Sequence, residues 1–339
     1  MSHFTVLVIG NDPEDQLAPF QENNMGDCPA QYLEFTDNED ENRKEYEEGT
    51  ITKVIMPDGR KLNSWDDEFR VNDSIGHGSG THKVPDHLEK REIKFTEIYK
   101  TFEEYMSDWH GTQKRDEKTG RYGYWENPNA KWDWYSLGGR WAGFFTLKPY
   151  REGIQGHHRA KDFASITGEV VEDLPLTAAD QAHKRDIDFD KMRNDAAELA
   201  AVNWEIANKV IGHLPAATPW AEILKIEGIN IEEKRARYHA QPRAKAWSEA
   251  ERKNRDSWPF GYSTSFDDLS VTKDEYIQDA RDSAISTHAV IIDGKWYERG
   301  SMGWWAIVSN EKDNWDAEFS KLLDSATEDT LLSVYDCHI

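Results

Sequence analysis

Cysteine is almost absent from this chain: Cys28 and Cys337 are the only two in 339 residues. They stand too far apart for a metal knuckle, and two do not make a disulfide framework. Long apolar runs are missing as well, so no segment reads as a membrane span. Met1-Ser2-His3 carries no basic segment ahead of a signal-like core, and the expected location is the cytoplasm. Basic residues are in deficit, 41 Lys and Arg against 64 Asp and Glu, for a net charge of −23. A surface of that sign repels phosphate backbones and argues against non-specific nucleic-acid binding. It suits solubility, a basic protein partner, or an imitation of nucleic acid. There is no Walker A loop, dinucleotide fingerprint or internal repeat. Gly76-His77-Gly78-Ser79-Gly80 lacks the spacing of a nucleophile elbow.

Large rings are abundant instead. Aromatics make up 12% of the residues, with 14 Trp, too many for a disordered acidic chain. They are densest in Lys131-Trp132-Asp133-Trp134-Tyr135-Ser136-Leu137-Gly138-Gly139-Arg140-Trp141. A binding pocket has a use for each part of this run: rings for stacking, Arg140 for an anion, and Gly138 and Gly139 for close backbone approach. The alternative is an aromatic hairpin in which Arg140 pairs with Asp133 and stacks on Trp141. Trp296-Tyr297-Glu298-Arg299-Gly300-Ser301-Met302-Gly303-Trp304-Trp305 has a similar character. Packed beside residues 132–141, it would complete a cleft lined by Trp132, Trp134, Tyr135, Gly138, Gly139, Arg140, Trp141, Arg299 and Trp304. Two arginines against a ring-lined wall suggest a phosphorylated, nucleotide-like ligand, with Asp133 and Glu298 as candidate acid–base groups.

Other chemistry-bearing residues are more scattered. His77 and His82, with Asp73 nearby, lie in a glycine-rich segment, but solvated loop histidines are the simpler reading, so neither a metal nor a cofactor is expected. Asp108-Trp109-His110 and Asp336-Cys337-His338 are potential acid–base or thiol groups. Residues 232–255 hold eight basic side chains against four glutamates, a local exception to the acidity that reads as a solvated helix face or a patch for an acidic partner.

The order of elements predicts an α+β protein. Phe4 to Ile9 is a strand with apolar residues on both faces, and Thr330 to Tyr335 is its expected partner. Residues 51–60 read as a hairpin, Phe95 to Trp109 as one amphipathic helix capped by Thr96, and 132–147 as two strands around a Gly-Gly turn. From 172 to 285 the pattern is helical, with a seam from Phe189 through Met192, Ala196, Leu199, Val202 and Ile206 to Val210 that reads as internal core. Thr272 and Glu275 fit a capping box, and Asp293-Gly294 a hairpin turn. Together these give an antiparallel ferredoxin-like (split βαβ) sheet pairing the N- and C-terminal strands. The domains expected are a discontinuous core of 1–171 and 286–339, with 172–285 as a mainly helical insertion.

Several segments, namely Met1 to Ile9, Thr101-Phe102-Glu103-Glu104-Tyr105, Trp125 to Trp141, Met302-Gly303-Trp304-Trp305 and Asp336-Cys337-His338-Ile339, together resemble a family of uncharacterised proteins encoded by bacteriophages and some bacteria. The resemblance spans both ends and the middle of the chain and is weakest across the helical stretch. It implies a cytoplasmic protein of an infected or lysogenic bacterial cell, and it carries no catalytic role onto any residue. Two functions follow as expectations. One is an accessory protein that binds and inhibits or sequesters a host or defence-system component. The other is an enzyme acting on a nucleotide or other phosphorylated small molecule in the Trp/Arg-lined cleft.

Overall fold

The strand expected at the start of the chain lies inside a seven-stranded sheet. The computed structural model describes residues 2–71, 81–167, 170–255, 257–261, 264–303 and 307–339. Seven strands make this sheet: β1 (His3–Ile9), β2 (Trp134–Gly139), β3 (His157–His158), β4 (Gln181–His183), β5 (Ala289–Ile292), β6 (Lys295–Glu298) and β7 (Leu331–His338). Their order is β3-β2-β7-β1-β5-β6, with β4 also paired to β7. β1 and β7 run antiparallel over seven residue pairs, from His3 opposite His338 to Ile9 opposite Leu332. β1 with β5, and β2 with β3, are parallel. The α+β class therefore holds, but the sheet is mixed and is not the antiparallel ferredoxin-like one expected.

Alternation sorts the side chains of β1 and β7 onto two faces. Leu7, Ile9, Leu332 and Val334 pack on one face with Trp315, Phe319 and Leu323 of the helix Trp315–Ser325, and with Phe189 and Met192. Phe4, Val6, Val8, Tyr335 and Cys337 pack on the other with Leu17, Phe20 and Trp132. Both faces of the central strands are thus apolar, as a strand covered on both sides requires. On the first face the apolar character stops partway along. His3, His338 and Trp134 stand directly opposite one another across β1, β7 and β2, and Thr5, Asp336 and Ser136 form the next row.

Contacts divide the chain into one unit of Met1–Gln21 with Lys131–Ile339, and a second of Glu22–Ala130. The boundaries expected at 172 and 285 are not those of these units, because the helix Phe189–Ile211 starts in the core of the sheet. Its later part joins a second core of Ala207, Ile211, Ala244, Trp247, Phe260, Phe266 and Leu269. The expected seam is accordingly split, with Leu199 and Val202 exposed between the two cores. The Thr272–Glu275 capping box and the Asp293-Gly294 turn form as expected. In the second unit, strands Thr50–Ile55 and Lys61–Leu62 make the expected hairpin. Phe95 to Trp109 is two helices, Phe95–Ile98 and Phe102–Trp109, because Thr101 rather than Thr96 caps the longer one, accepting from the Glu104 amide. Phe95, Phe102, Tyr105 and Met106 form the core there.

Gly138 and Gly139 do not form a hairpin turn. They end β2 at positive φ (74° and 57°) and pair in parallel with His157 and His158. A Cβ on Gly138 would lie 2.6 Å from the Asp180 carboxylate, and one on Gly139 2.4 Å from Asp336. Both carboxylates are fully buried and serve the backbone here. Asp180 accepts from the amides of Gly143, Phe144 and Gly156, and Asp336 from that of Arg140. We expect Gly139→Ala to destabilise the protein by on the order of 3 kcal/mol, through left-handed strain and the clash with Asp336. Gly294→Ala, also at positive φ but with open space around it, should cost about 1 kcal/mol. Urea denaturation midpoints of the two variants check the contrast.

Candidate functional site

The row His3–His338–Trp134 is the centre of a cluster of ionisable groups. His338 Nδ1 lies 2.6 Å from Asp133 Oδ1, and since a carboxylate only accepts, Nδ1 carries the hydrogen. The ring is stacked on Trp134 with centroids 5.0 Å apart and planes 16° from parallel. Its Nε2 receives no hydrogen bond from any described residue, so in the neutral ring the lone pair there is available. The edge of His3 meets His338, with centroids 4.9 Å apart. His3 Nδ1 donates to Asp336 Oδ1 at 2.7 Å, while Arg159 Nη1 donates to His3 Nε2 at 3.1 Å. That pair of bonds requires a neutral His3, and burial, its largest influence, also pushes the imidazole below its ordinary pKa.

The two arginines reach the site by backbone geometry. Arg140 follows the glycine pair, with its amide held by Asp336. Arg159 follows β3, and its amide donates to Gly139 O, so that the parallel pairing of β2 and β3 brings it alongside. The Arg159 guanidinium lies 6.0 Å from the Trp134 ring centre. Arg140 is exposed, and no carboxylate among the described residues forms an ion pair with its guanidinium. Partial desolvation first, then repulsion from Arg159, lower its pKa, with Asp336 acting in the opposite sense. An anion seated between the two guanidinium groups would relieve that repulsion.

The expected cleft residues separate in the structure. Trp134, Arg140 and Asp133 belong to this cluster, and Gly138 and Gly139 shape its backbone. Trp132 is buried, its indole N–H donating to Leu17 O. Tyr135 packs edge-on against Trp132 and Tyr335 as part of the core. Trp141 follows the glycine pair, its amide donating to Gly138 O. Glu298 and Arg299 lie at or beyond the end of β6, at the opposite edge of the sheet from β3 and four strands from β2. The two aromatic segments meet through the sheet face, where Trp296 and Met302 pack in one cluster with Trp132, and not through the expected cleft that would bring Arg299 to Arg140. Glu298 pairs with Lys131 at 3.0 Å and accepts from the Trp296 indole, and Arg299 pairs with Glu311.

Trp304, Trp305 and His77 lie outside the described residues. His82 sits in a short strand opposite Arg70. Cys337 is completely buried in the core, which raises its thiol pKa well above the ordinary value. Among the described residues no group of three or more His, Cys, Asp or Glu is arranged to hold a metal ion. No helix there is long and apolar enough to cross a membrane.

His3 and Arg159 drew no attention in the sequence, and the two histidines are 335 positions apart. The signal that joins them is the register of the first and last strands, in which counting back from Ile9 and forward from Leu332 brings His3 opposite His338. Comparison with known families, curated proteins and solved structures finds no match for this chain.

His3 and His288 both have pKa values lowered from the ordinary 6.5, in each case first by burial. The unfolded chain then takes up protons that the folded one refuses, so this contribution to stability is present above about pH 6.5 and is lost as pH falls below it. We expect the urea midpoint to drop between about pH 7.5 and about pH 5.5, and to drop less steeply in a His3→Asn variant. Equal slopes would show that His3 does not titrate this way.

Proposed function

We propose that the protein is an enzyme acting on a phosphorylated small molecule, with a nucleotide the best-fitting class of substrate. The observation that carries this reading is the Asp133–His338–Trp134 stack, in which Nε2 of the buried His338 has no hydrogen-bond partner among the described residues, beside the exposed Arg140 and the Arg159 guanidinium. Asp133 orients the imidazole and stabilises its cationic form, leaving His338 able to take or give a proton at Nε2. Arg140 and Arg159 supply fixed positive charge for the phosphoryl oxygens and for the charge that grows on them during transfer. Trp134, about 40% exposed, offers a ring for a base to stack on. The net charge of −23 disfavours a long polyanion and is compatible with a small phosphate drawn in by local arginines. His3 and Asp336 hold Arg159 in place and act as positioning residues.

The charge and the resemblance to phage-encoded proteins favour a second reading, sequestration of a host or defence component in a bacterial cytoplasm. One experiment separates the two. Purified protein is incubated with nucleoside mono- and diphosphates, p-nitrophenyl phosphate and glycerol phosphate, and products are followed by chromatography and phosphate release. We expect turnover of at least one nucleotide, with kcat about 10²- to 10⁴-fold lower in His338→Asn. Trp134→Ala should raise KM for the nucleotide about tenfold more than it raises KM for glycerol phosphate. The enzymatic reading fails if no probe is turned over and Arg140→Ala matches the parent protein in thermal shift with every one of them.

A further inference from the structure

We propose that the phosphoryl group passes through a covalent intermediate on Nε2 of His338, an inference that rests on the phosphate-directed reading above. The imidazole is held on three sides: by Asp133 at Nδ1, by the Trp134 face, and by the His3 edge. Only the Nε2 side lacks a partner among the described residues. The fixed hydrogen on Nδ1 puts the lone pair on that nitrogen without any prior proton transfer, as a nucleophile requires.

Arg159 is 6.0 Å from the centre of Trp134, which is itself 5.0 Å from His338, and Arg159 touches His3, whose ring centre is 4.9 Å from that of His338. A phosphoryl group that accepts charge-assisted hydrogen bonds from that guanidinium is thereby drawn to the neighbourhood of the His338 imidazole. Direct attack needs only contact between Nε2 and phosphorus, whereas general-base catalysis needs a positioned water as well.

The two steps balance. The Nε2 lone pair attacks phosphorus, the bond from phosphorus to the leaving oxygen breaks, and that oxygen takes a proton from solvent. The imidazole becomes cationic while keeping its Nδ1 hydrogen, and the Asp133 carboxylate compensates the new charge. Water then attacks phosphorus, the P–N bond breaks with its electron pair returning to Nε2, and a proton leaves to solvent with inorganic phosphate as the product. Arg140 and Arg159 stay on the equatorial oxygens throughout. His3, with both nitrogens engaged, does not compete as a nucleophile.

The test is rapid quench of the full-length protein in alkali during turnover of its best phosphorylated probe, followed by intact-protein and peptide mass spectrometry. The stereochemical course at an isotopically chiral phosphorus is measured alongside. The expected result is an acid-labile, alkali-stable adduct of one phosphoryl group on the peptide containing His338, with net retention at phosphorus. The adduct should be absent from His338→Asn and should form roughly tenfold or more slowly in Asp133→Asn, with folding of both variants checked by thermal denaturation. Turnover with inversion and no adduct would overturn the covalent route and leave His338 as a general base, so the proposed function would stand. No turnover of any phosphorylated probe by the folded protein would overturn both.

Discussion

The pairing of β1 with β7 is the interaction on which the rest of the sheet and the candidate site depend. β7 lies between β1 and β2, so every distance within the His3–His338–Trp134 row is set by backbone hydrogen bonds rather than by flexible loops. A shift of one residue in this register would turn Phe4 and Val6 away from their core and point Leu7 and Ile9 into the other one. The hydrophobic alternation that secures the core on both faces therefore also secures the spacing of two imidazoles and an indole. This is an inexpensive way to hold a site rigidly, because burial of apolar side chains stabilises the same register that the polar row needs.

Asp336 links that rigid row to the less regular part of the site. One of its oxygens receives the His3 hydrogen, and the other holds the Arg140 amide. Full burial of a carboxylate is tolerated when its oxygens are hydrogen-bonded, as they are here. Asp180 has the same relation to the loop after Arg140, with burial raising its pKa against the opposing effect of its three amide donors. The Gly-Gly pair is thus explained by two buried acids pressing on the backbone, not by a turn. Arg140 emerges from this braced corner, which is why an exposed arginine can still have a defined place next to His3.

Much of the architecture could be read from local pattern. The first and last strands, the 289–298 hairpin, the long helix from Phe189 and the capping box at Thr272 follow from alternation, helical spacing and turn chemistry, all of which act over a few residues. The parallel pairing of β1 with β5 was not readable, since it depends on which distant segment docks beside which edge. The same limit applied to the site. Trp134, Arg140 and Asp133 stood out because they are crowded together in one run, and Trp132 and Tyr135 stood out for the same reason although they serve the core. Glu298 and Arg299 looked similar by composition, but strand order places them at the other edge. His3 and Arg159 have unremarkable neighbours, and only tertiary pairing gives them meaning.

The residues of the row are far apart in sequence: His3 lies in β1, Trp134 in β2 and His338 in β7. β7 must take its place between β1 and β2 before the two imidazoles and the indole stand side by side. The entropy of closing so long a loop has to be met before any of these contacts forms, so the row belongs to the slow, non-local part of folding and cannot assemble from a single local segment.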